Sequence, residues 1–233
     1  MDYLLDGLVR AFILLFQLDA ETYSAIYTTL SVSSLSIIGS LVLGAPLGFL
    51  LGHADFPGKR ALRMLVDTLL SFPTVVIGLL VYAFLSRQGP LGELGLLFTV
   101  PGIAVGQTIL GLPIIIAMTA TAVENMDRRL RWTLQTLGAS RRQILVTTLW
   151  EARYHLALAA VAAYGRIVSE VGISMMVGGN IKWHTRTITT AIALETGKGQ
   201  FAVGIALGLV LLCIAFLVNL AVSGLRRLAE HDR

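Results

Sequence analysis

Arg166 and Glu170 stand four residues apart in a run, 156–177, that otherwise carries no charge. That spacing puts both side chains on one face of a helix. Either charge alone at the centre of a membrane helix costs about 2.5–3.5 kcal/mol. Together they form an intrahelical ion pair. Such a pair either lines a permeation path or fixes the orientation of its helix inside a bundle. A paired guanidinium is a poor receptor for an anion, so the structural role is the reading adopted. The same region continues through Ser169, Gly172 and Ser174 to Gly178, Gly179 and Asn180, with Lys182, Trp183, His184 and Arg186 beyond. Its glycines loosen a helix, and its hydroxyl, amide and cationic groups suit either contact with another protein or the greeting of a small anion. Pro73-Thr74 offers a second break with a hydroxyl beside it. Thr74, Ser169, Ser174 and Asn180 are therefore candidates to line or flank a path. The competing reading is that such hydroxyls bond their own helix backbone.

A second constellation is basic. From Glu124 to Tyr154 the chain is polar enough to stay out of the bilayer and long enough for two short helices joined at Gly138. Leu134, Leu137, Ile144, Leu145 and Leu149 are spaced for one apolar face, and Arg141, Arg142 and Gln143 give a polar one. Such a segment lies along lipid headgroups or docks into a groove on a soluble partner. Covalent chemistry finds no support. There is no nucleophile–base constellation and no metal-ligand spacing, and the single cysteine, Cys213, sits in an apolar run. Gly52–Arg60, GHADFPGKR, fails as a phosphate loop, with five residues between its glycines and Arg60 where Ser or Thr is required. Any nucleotide energy must be supplied by another chain.

These groups need a membrane scaffold to position them. Of 233 residues 55% are apolar and 14% charged, well below the roughly 25% charge of soluble domains, and no feature points to nucleic acid. The N-terminus, acidic before it is apolar, does not read as a cleavable signal. Five stretches approach the roughly 20 apolar residues of a membrane span: Ser24–Leu51, Leu65–Leu85, Leu96–Val123, Leu156–Val177 and Phe201–Leu220. Leu8–Leu18 is too short and reads as an interfacial or re-entrant helix, with a short sixth span as the alternative. The expected fold is an all-α integral membrane bundle in one domain, 1–233: five transmembrane helices, a short N-terminal interfacial helix and a cytoplasmic helix within 124–154. In this arrangement twelve of the eighteen Lys and Arg fall on one side, around Lys59, Arg141 and the C-terminus. The positive-inside rule makes that side cytoplasmic and puts the N-terminus outside.

Small residues suggest how the helices meet. Ser36, Ser40, Gly44, Gly48 and Gly52 recur every four residues on the first span, Gly102 and Gly106 mark the third, and Gly204 and Gly208 repeat the pattern on the last. Close backbone approach along such ridges holds membrane helices together. Gln107 is placed to bond between helices, and Asp67 to sit at an interface. Pro46, Pro73, Pro101 and Pro113 are each expected to bend or break a span.

Several of these stretches resemble a known family. Thr136-Leu137-Gly138-Ala139-Ser140 is similar to the cytoplasmic loop of ABC importer permeases at its glycine, although Trp132-Thr133-Leu134 replaces that loop's Glu-Ala-Ala start. Phe72-Pro73-Thr74-Val75-Val76-Ile77-Gly78 resembles the Pro-Thr-Val-x-Gly stretch of oxyanion permeases. Gly165-Arg166 through Ser169-Glu170-Val171-Gly172 resembles a late-span stretch of the same proteins, and Met175–Ile181 extends the likeness toward the tungstate type. The resemblance implies a second copy of the chain, two ATP-binding subunits that hold ATP and Mg, an extracytoplasmic oxyanion-binding protein that selects the anion, and no cofactor on this chain. It implies that Leu137, Gly138, Ala139, Ser140, Arg141, Arg142, Gln143 and Ile144 form the coupling helix, with Leu137 and Ile144 as apolar anchors and Arg141 and Arg142 as polar contacts. Pro73, Thr74, Ser169, Glu170, Gly172, Ser174 and Asn180 are assigned by the same likeness to the translocation pathway or its gate.

Overall fold

The structure, a computed structural model, describes residues 9, 12, 13, 16–125 and 136–231. Most of the 8–18 stretch, and the Trp132-Thr133-Leu134 start of the basic segment, lie outside the described residues. Helix α1, Ala20–His53, is capped by Asp19, whose carboxylate accepts from the Thr22 amide at 2.8 Å. Its 34 residues reach about 51 Å at 1.5 Å per residue, beyond the roughly 30 Å hydrocarbon core. A turn through Gly58, in the left-handed region at φ 94°, leads into α2, Lys59–Leu70.

The second expected span, Leu65–Leu85, is not one helix. α2 stops at Ser71, Pro73 caps α3 (Thr74–Leu85), and the two helices meet at 97°. The cause is local: Pro73 has no amide to continue the helical ladder. Of α2, only Val66 is buried. The other prolines do not break their spans. Pro46 and Pro113 lie inside helices that run on, and Pro101 sits in the first turn of α4, Val100–Glu124, where no amide partner is needed. α4 starts later than the expected third span because Thr99 caps it, accepting from the Gly102 amide at 3.1 Å.

Past the basic segment, α5 (Arg141–Glu151) runs almost directly into α6 (Arg153–Val168). The fourth expected span is also broken: α6 ends at Ser169, and α7, Gly172–Gly178, leaves at 63°. Gly179, at φ 69°, closes α7. A loop then leads to α8, Ile188–Gly197, capped by Thr187, and to α9, Phe201–His231. Among the described residues three helices are long and apolar enough to cross a membrane, and each bent pair adds one crossing if it counts as a single span. The described residues form an all-helical bundle with three to five candidate crossings.

α4 occupies the middle, with two thirds of its apolar window buried (67%) against 33% for α1. The small-residue ridge of α1 lies along it. A Cβ on Gly44 would stand 3.0 Å from the Ile115 side chain, one on Gly48 2.6 Å from the Ile116 carbonyl, and one on Gly52 2.7 Å from the Ala120 carbonyl. The matching ridge expected on the last span is only half present: Gly204 faces Thr196 of α8, whereas nothing approaches Gly208. Ile77, Val81 and Leu85 of α3 pack with Leu110 of α4 and Ile173 and Val177 of α7. Ala25, Ile188 and Leu207 join α1, α8 and α9.

Candidate translocation site and coupling segment

The two helix breaks face each other. A Cβ on Gly172, at the start of α7, would lie 3.4 Å from Val75 Cγ2 and 3.5 Å from Thr74 Oγ1, both in the first turn of α3. One turn on, the same position on Gly78 is 3.3 Å from Ile173 Cα and 3.1 Å from Met176 Sδ. The Pro73-Thr74 and Glu170-Val171-Gly172 stretches, about a hundred residues apart in sequence, thus form one junction. The approach is tight at Gly78, where a side chain would press on Ile173 and Met176, whereas at Gly172 the distances to α3 are those of ordinary contact.

Glu170 stitches the α6–α7 break. One carboxylate oxygen accepts from Arg166 Nη1 at 3.2 Å, and the other accepts from the Ile173 amide at 3.3 Å. Its carbonyl, left unpaired by the end of α6, accepts from Thr189 Oγ1 at 2.8 Å and from Ser174 Oγ at 3.4 Å. The ion pair therefore bridges a break rather than a turn of continuous helix. Glu170 is 3% exposed and the Arg166 side chain 46%, so the guanidinium keeps one open side while the carboxylate is enclosed. Ser169 donates to the carbonyls of Gly165 and Arg166, its own helix. Ser174 is fully buried and accepts from Gln107 Nε2 at 3.1 Å, so in this conformation it lines no open space. Gln107 Oε1 accepts from Ser36 Oγ at 3.3 Å, which joins α1, α4 and α7 through one amide. Pro73 is exposed and Thr74 half-buried.

Asn180, at φ 51°, accepts from Arg186 Nε at 3.2 Å. Arg186 and Lys182 (2.7 Å) both pair with Glu21 at the start of α1. The two cations read as free to greet an anion are thus engaged by one carboxylate. Glu21 was missed in the sequence because an acidic residue in a first helical turn has an ordinary explanation. The threonines at 185, 187, 189 and 190, all buried, were also missed. Thr185 Oγ1 donates to the Gly178 carbonyl at 2.6 Å, and Thr29 Oγ1 accepts from the Ile188 amide at 2.8 Å. Their run in an otherwise apolar neighbourhood was a legible signal.

At the other end of the bundle, Gly138 turns the chain at φ 75° with open space around it, and Leu137 beside it is 77% exposed. Ala139 is half-buried. Ser140 caps α5: its hydroxyl accepts from the Gln143 amide at 3.3 Å while Gln143 Oε1 accepts from the Ser140 amide at 2.8 Å. Arg142 and Gln143 are exposed, and Arg141 opens α5. Ile144 does not fit the expected role of anchor, because it is buried within the chain (8% exposed). Among the described side chains of α5, Val146 and Trp150, one turn apart, are apolar and exposed, with Arg153 stacked 4.9 Å from the Trp150 ring. Among the described residues no group of His, Cys, Asp or Glu could hold a metal.

Known proteins resemble this chain in fold and in sequence. The structure is similar to chains of the MetNI methionine ABC transporter in inward-facing conformations (TM-score 0.73, 21% identity, covering 91% of this chain and 98% of that one). It is also similar to a bacterial alginate ABC transporter (TM-score 0.74, 22% identity, covering 94% and 83%); at these identities the likeness shows the fold. In sequence the chain is 51% identical to a tungstate uptake system permease protein, TupB, of Campylobacter jejuni, over 97% of this chain and 95% of that protein. It is 36% identical to TupB of Peptoclostridium acidaminophilum, over 97% and 99%. The molybdenum transport system permease protein ModB of Escherichia coli is 29% identical, over 76% and 82%. A family model described as binding-protein-dependent transport system inner membrane component matches residues 44–231. The chain belongs to this family of inner-membrane transport components.

Proposed function

We propose that this chain is the membrane-spanning subunit of an ABC importer for tungstate, with molybdate as the near alternative. It is a transport component and not an enzyme, built as a multi-pass protein of the inner membrane. The observation that carries the substrate is the 51% identity to a tungstate uptake permease over nearly the full length of both chains. In the working assembly two copies form the pathway, two ATP-binding subunits hold ATP and Mg below it, and an extracytoplasmic oxyanion-binding protein delivers the anion above. The N-terminus is outside and the C-terminus cytoplasmic. This orientation is supported by the distribution of Lys and Arg, twelve of the eighteen falling on the side of the basic segment and the C-terminus.

The residues suggest how transport proceeds. The exposed turn at Leu137–Gly138, with Val146 and Trp150, offers an apolar surface for a groove on the ATP-binding subunit. Closure of those subunits would bring the two coupling helices together, and the bundle would alternate its access. The junction of Pro73-Thr74 with Glu170-Val171-Gly172 is where the chain is already broken on two helices, so it is the natural gate. No high-affinity anion site is needed here. Residues such as Thr74 would pass the anion, and selection would rest with the binding protein.

The test is ATP-dependent uptake in proteoliposomes holding this chain, its cognate ATP-binding subunit and its binding protein. Tungstate, molybdate and sulfate would compete, and Gly138→Val would serve as the coupling control. Uptake that requires ATP, fails in the variant and is outcompeted first by tungstate is the expected result. Uptake that persists without the ATP-binding subunit would make the chain a channel or secondary carrier.

A further inference from the structure

The end of α4 is tied to α2 by charge. Glu124 pairs through one carboxylate oxygen with Lys59 Nζ at 3.3 Å and through the other with Arg63 Nη1 at 3.3 Å. Arg63 Nη2 also donates to Thr121 Oγ1, one turn back on α4. All three charged side chains are partly exposed, from 23% for Lys59 to 36% for Glu124. They line a cleft of about 670 Å³ with Met64, Asp67 and Thr68. α2 has little else to hold it: Val66, packed with Leu51, Ile116, Ala117 and Ala120, is its one buried side chain.

Position gives the cluster its meaning. Glu124 is the last residue of α4, and the coupling segment begins there. At its far end α2 runs into the 97° joint at Ser71–Pro73, and the next turn, Thr74-Val75, rests on Gly172 at the α6–α7 break. Glu124, Lys59, Arg63, α2 and the joint therefore form one continuous physical path from the end of α4 to the junction of the two breaks.

We propose that Glu124 is a positioning residue for transport: held by Lys59 and Arg63, it makes α2 follow the end of α4 and so carries the movement of the coupling segment to the Pro73–Gly172 junction. Each cation has a second carboxylate nearby, Asp55 for Lys59 at 3.8 Å and Asp67 for Arg63 at 3.6 Å. Neutralising Glu124 consequently strands neither cation, and the change falls on the link between helices rather than on the charge balance of α2. The proposal rests on the transport function given above.

The experiment uses the complete complex in proteoliposomes and reads tungstate uptake and ATP hydrolysis together. In Glu124→Gln, hydrolysis stimulated by the binding protein is retained while uptake per ATP falls by about fivefold or more, the low end of coupling between distant sites. Lys59→Gln with Arg63→Gln gives the same fall. Combining all three changes adds nothing further, because the groups act as one unit. Lys59→Arg with Arg63→Lys, which keeps both charges, keeps the ratio. An unchanged ratio in Glu124→Gln overturns the proposal. So does a parallel loss of uptake and hydrolysis with lowered thermal stability, which marks a brace for the fold alone. Wild-type uptake that needs no ATP-binding subunit overturns the transport reading itself, and is distinguished by failing before any variant is compared.

Discussion

Substituting alanine at Gly48 and at Gly208 separates two uses of glycine in one protein. At Gly48 the new methyl would meet the Ile116 carbonyl at 2.6 Å, Thr119 Cβ at 2.7 Å and Ile116 Cα at 3.0 Å. Two of these are backbone atoms that cannot rotate away. An ordinary carbon–oxygen contact is about 3.3 Å, so α1 and α4 must separate by roughly 0.7 Å. A gap of that size forfeits about a quarter to a half of each dispersion contact nearby, and overpacking of this kind costs about 2–3 kcal/mol. Alanine returns about 0.5–1 kcal/mol as the better helix former, which leaves Gly48→Ala destabilised by about 1–2 kcal/mol. At Gly208 nothing lies within 4 Å, so only the propensity gain of at most about 1 kcal/mol remains. The two variants should therefore differ by about 2–3 kcal/mol. Reversible unfolding in mixed detergent–SDS micelles, followed by tryptophan fluorescence, measures the difference. Gly48→Ala proving as stable as Gly208→Ala would refute the claim that close packing on α4 is what the ridge is for.

Other consequences can be checked with similar means. Thr119 Oγ1 is a buried polar atom without a hydrogen-bond partner, so the nearly isosteric Thr119→Val should raise stability by about 1 kcal/mol; a loss in the same unfolding assay would show that the hydroxyl is engaged. Arg166→Ala leaves the enclosed Glu170 carboxylate without its cation and should destabilise by about 1–3 kcal/mol, less than a fully buried pair because Arg166 is half exposed. Adding Glu170→Gln should recover part of that loss, and a double variant no more stable than Arg166→Ala would contradict the pairing. At Gly138 the open surroundings make φ 75° the only obstacle to a side chain. Gly138→Asn, which tolerates that region, should accordingly keep more ATP-coupled uptake than Gly138→Val; equal loss in both would point to a steric role instead.

Helix content, the number of candidate crossings and the α1 ridge were legible because each rests on local pattern: apolar run length, or small residues every four positions. The breaks were harder. Pro73 and Pro113 look alike in sequence, yet one ends a helix and the other does not, since the outcome depends on what surrounds the freed carbonyl. Arg166 and Glu170 could be paired from their spacing, but the end of α6 between them could not be seen. It is set by Thr189 and the Ile173 amide, which capture the groups of Glu170 from outside and beyond the helix. Ile144 illustrates the same limit on α5. It fits an apolar face that could meet a partner, and only tertiary packing decides that it turns inward. Lys182 and Arg186 read as free cations because their partner, Glu21, is about 160 residues away in the chain.

The hydroxyl of Thr189 that satisfies the Glu170 carbonyl has a bearing on how the protein is made. Its partner lies 19 residues earlier, so α6 and α7 are synthesised before the group that stabilises the bend between them. The α1–α4 pairing, by contrast, is complete once residue 124 has been synthesised. Assembly must then run in two stages, an early pair that inserts and locks, and a later segment that stays unsettled until α8 arrives. With single cysteines introduced into α1 and α7, which have none, a released chain truncated at residue 180 should show α1 protected and α7 still open to a thiol probe, and one extended past α8 should close that access.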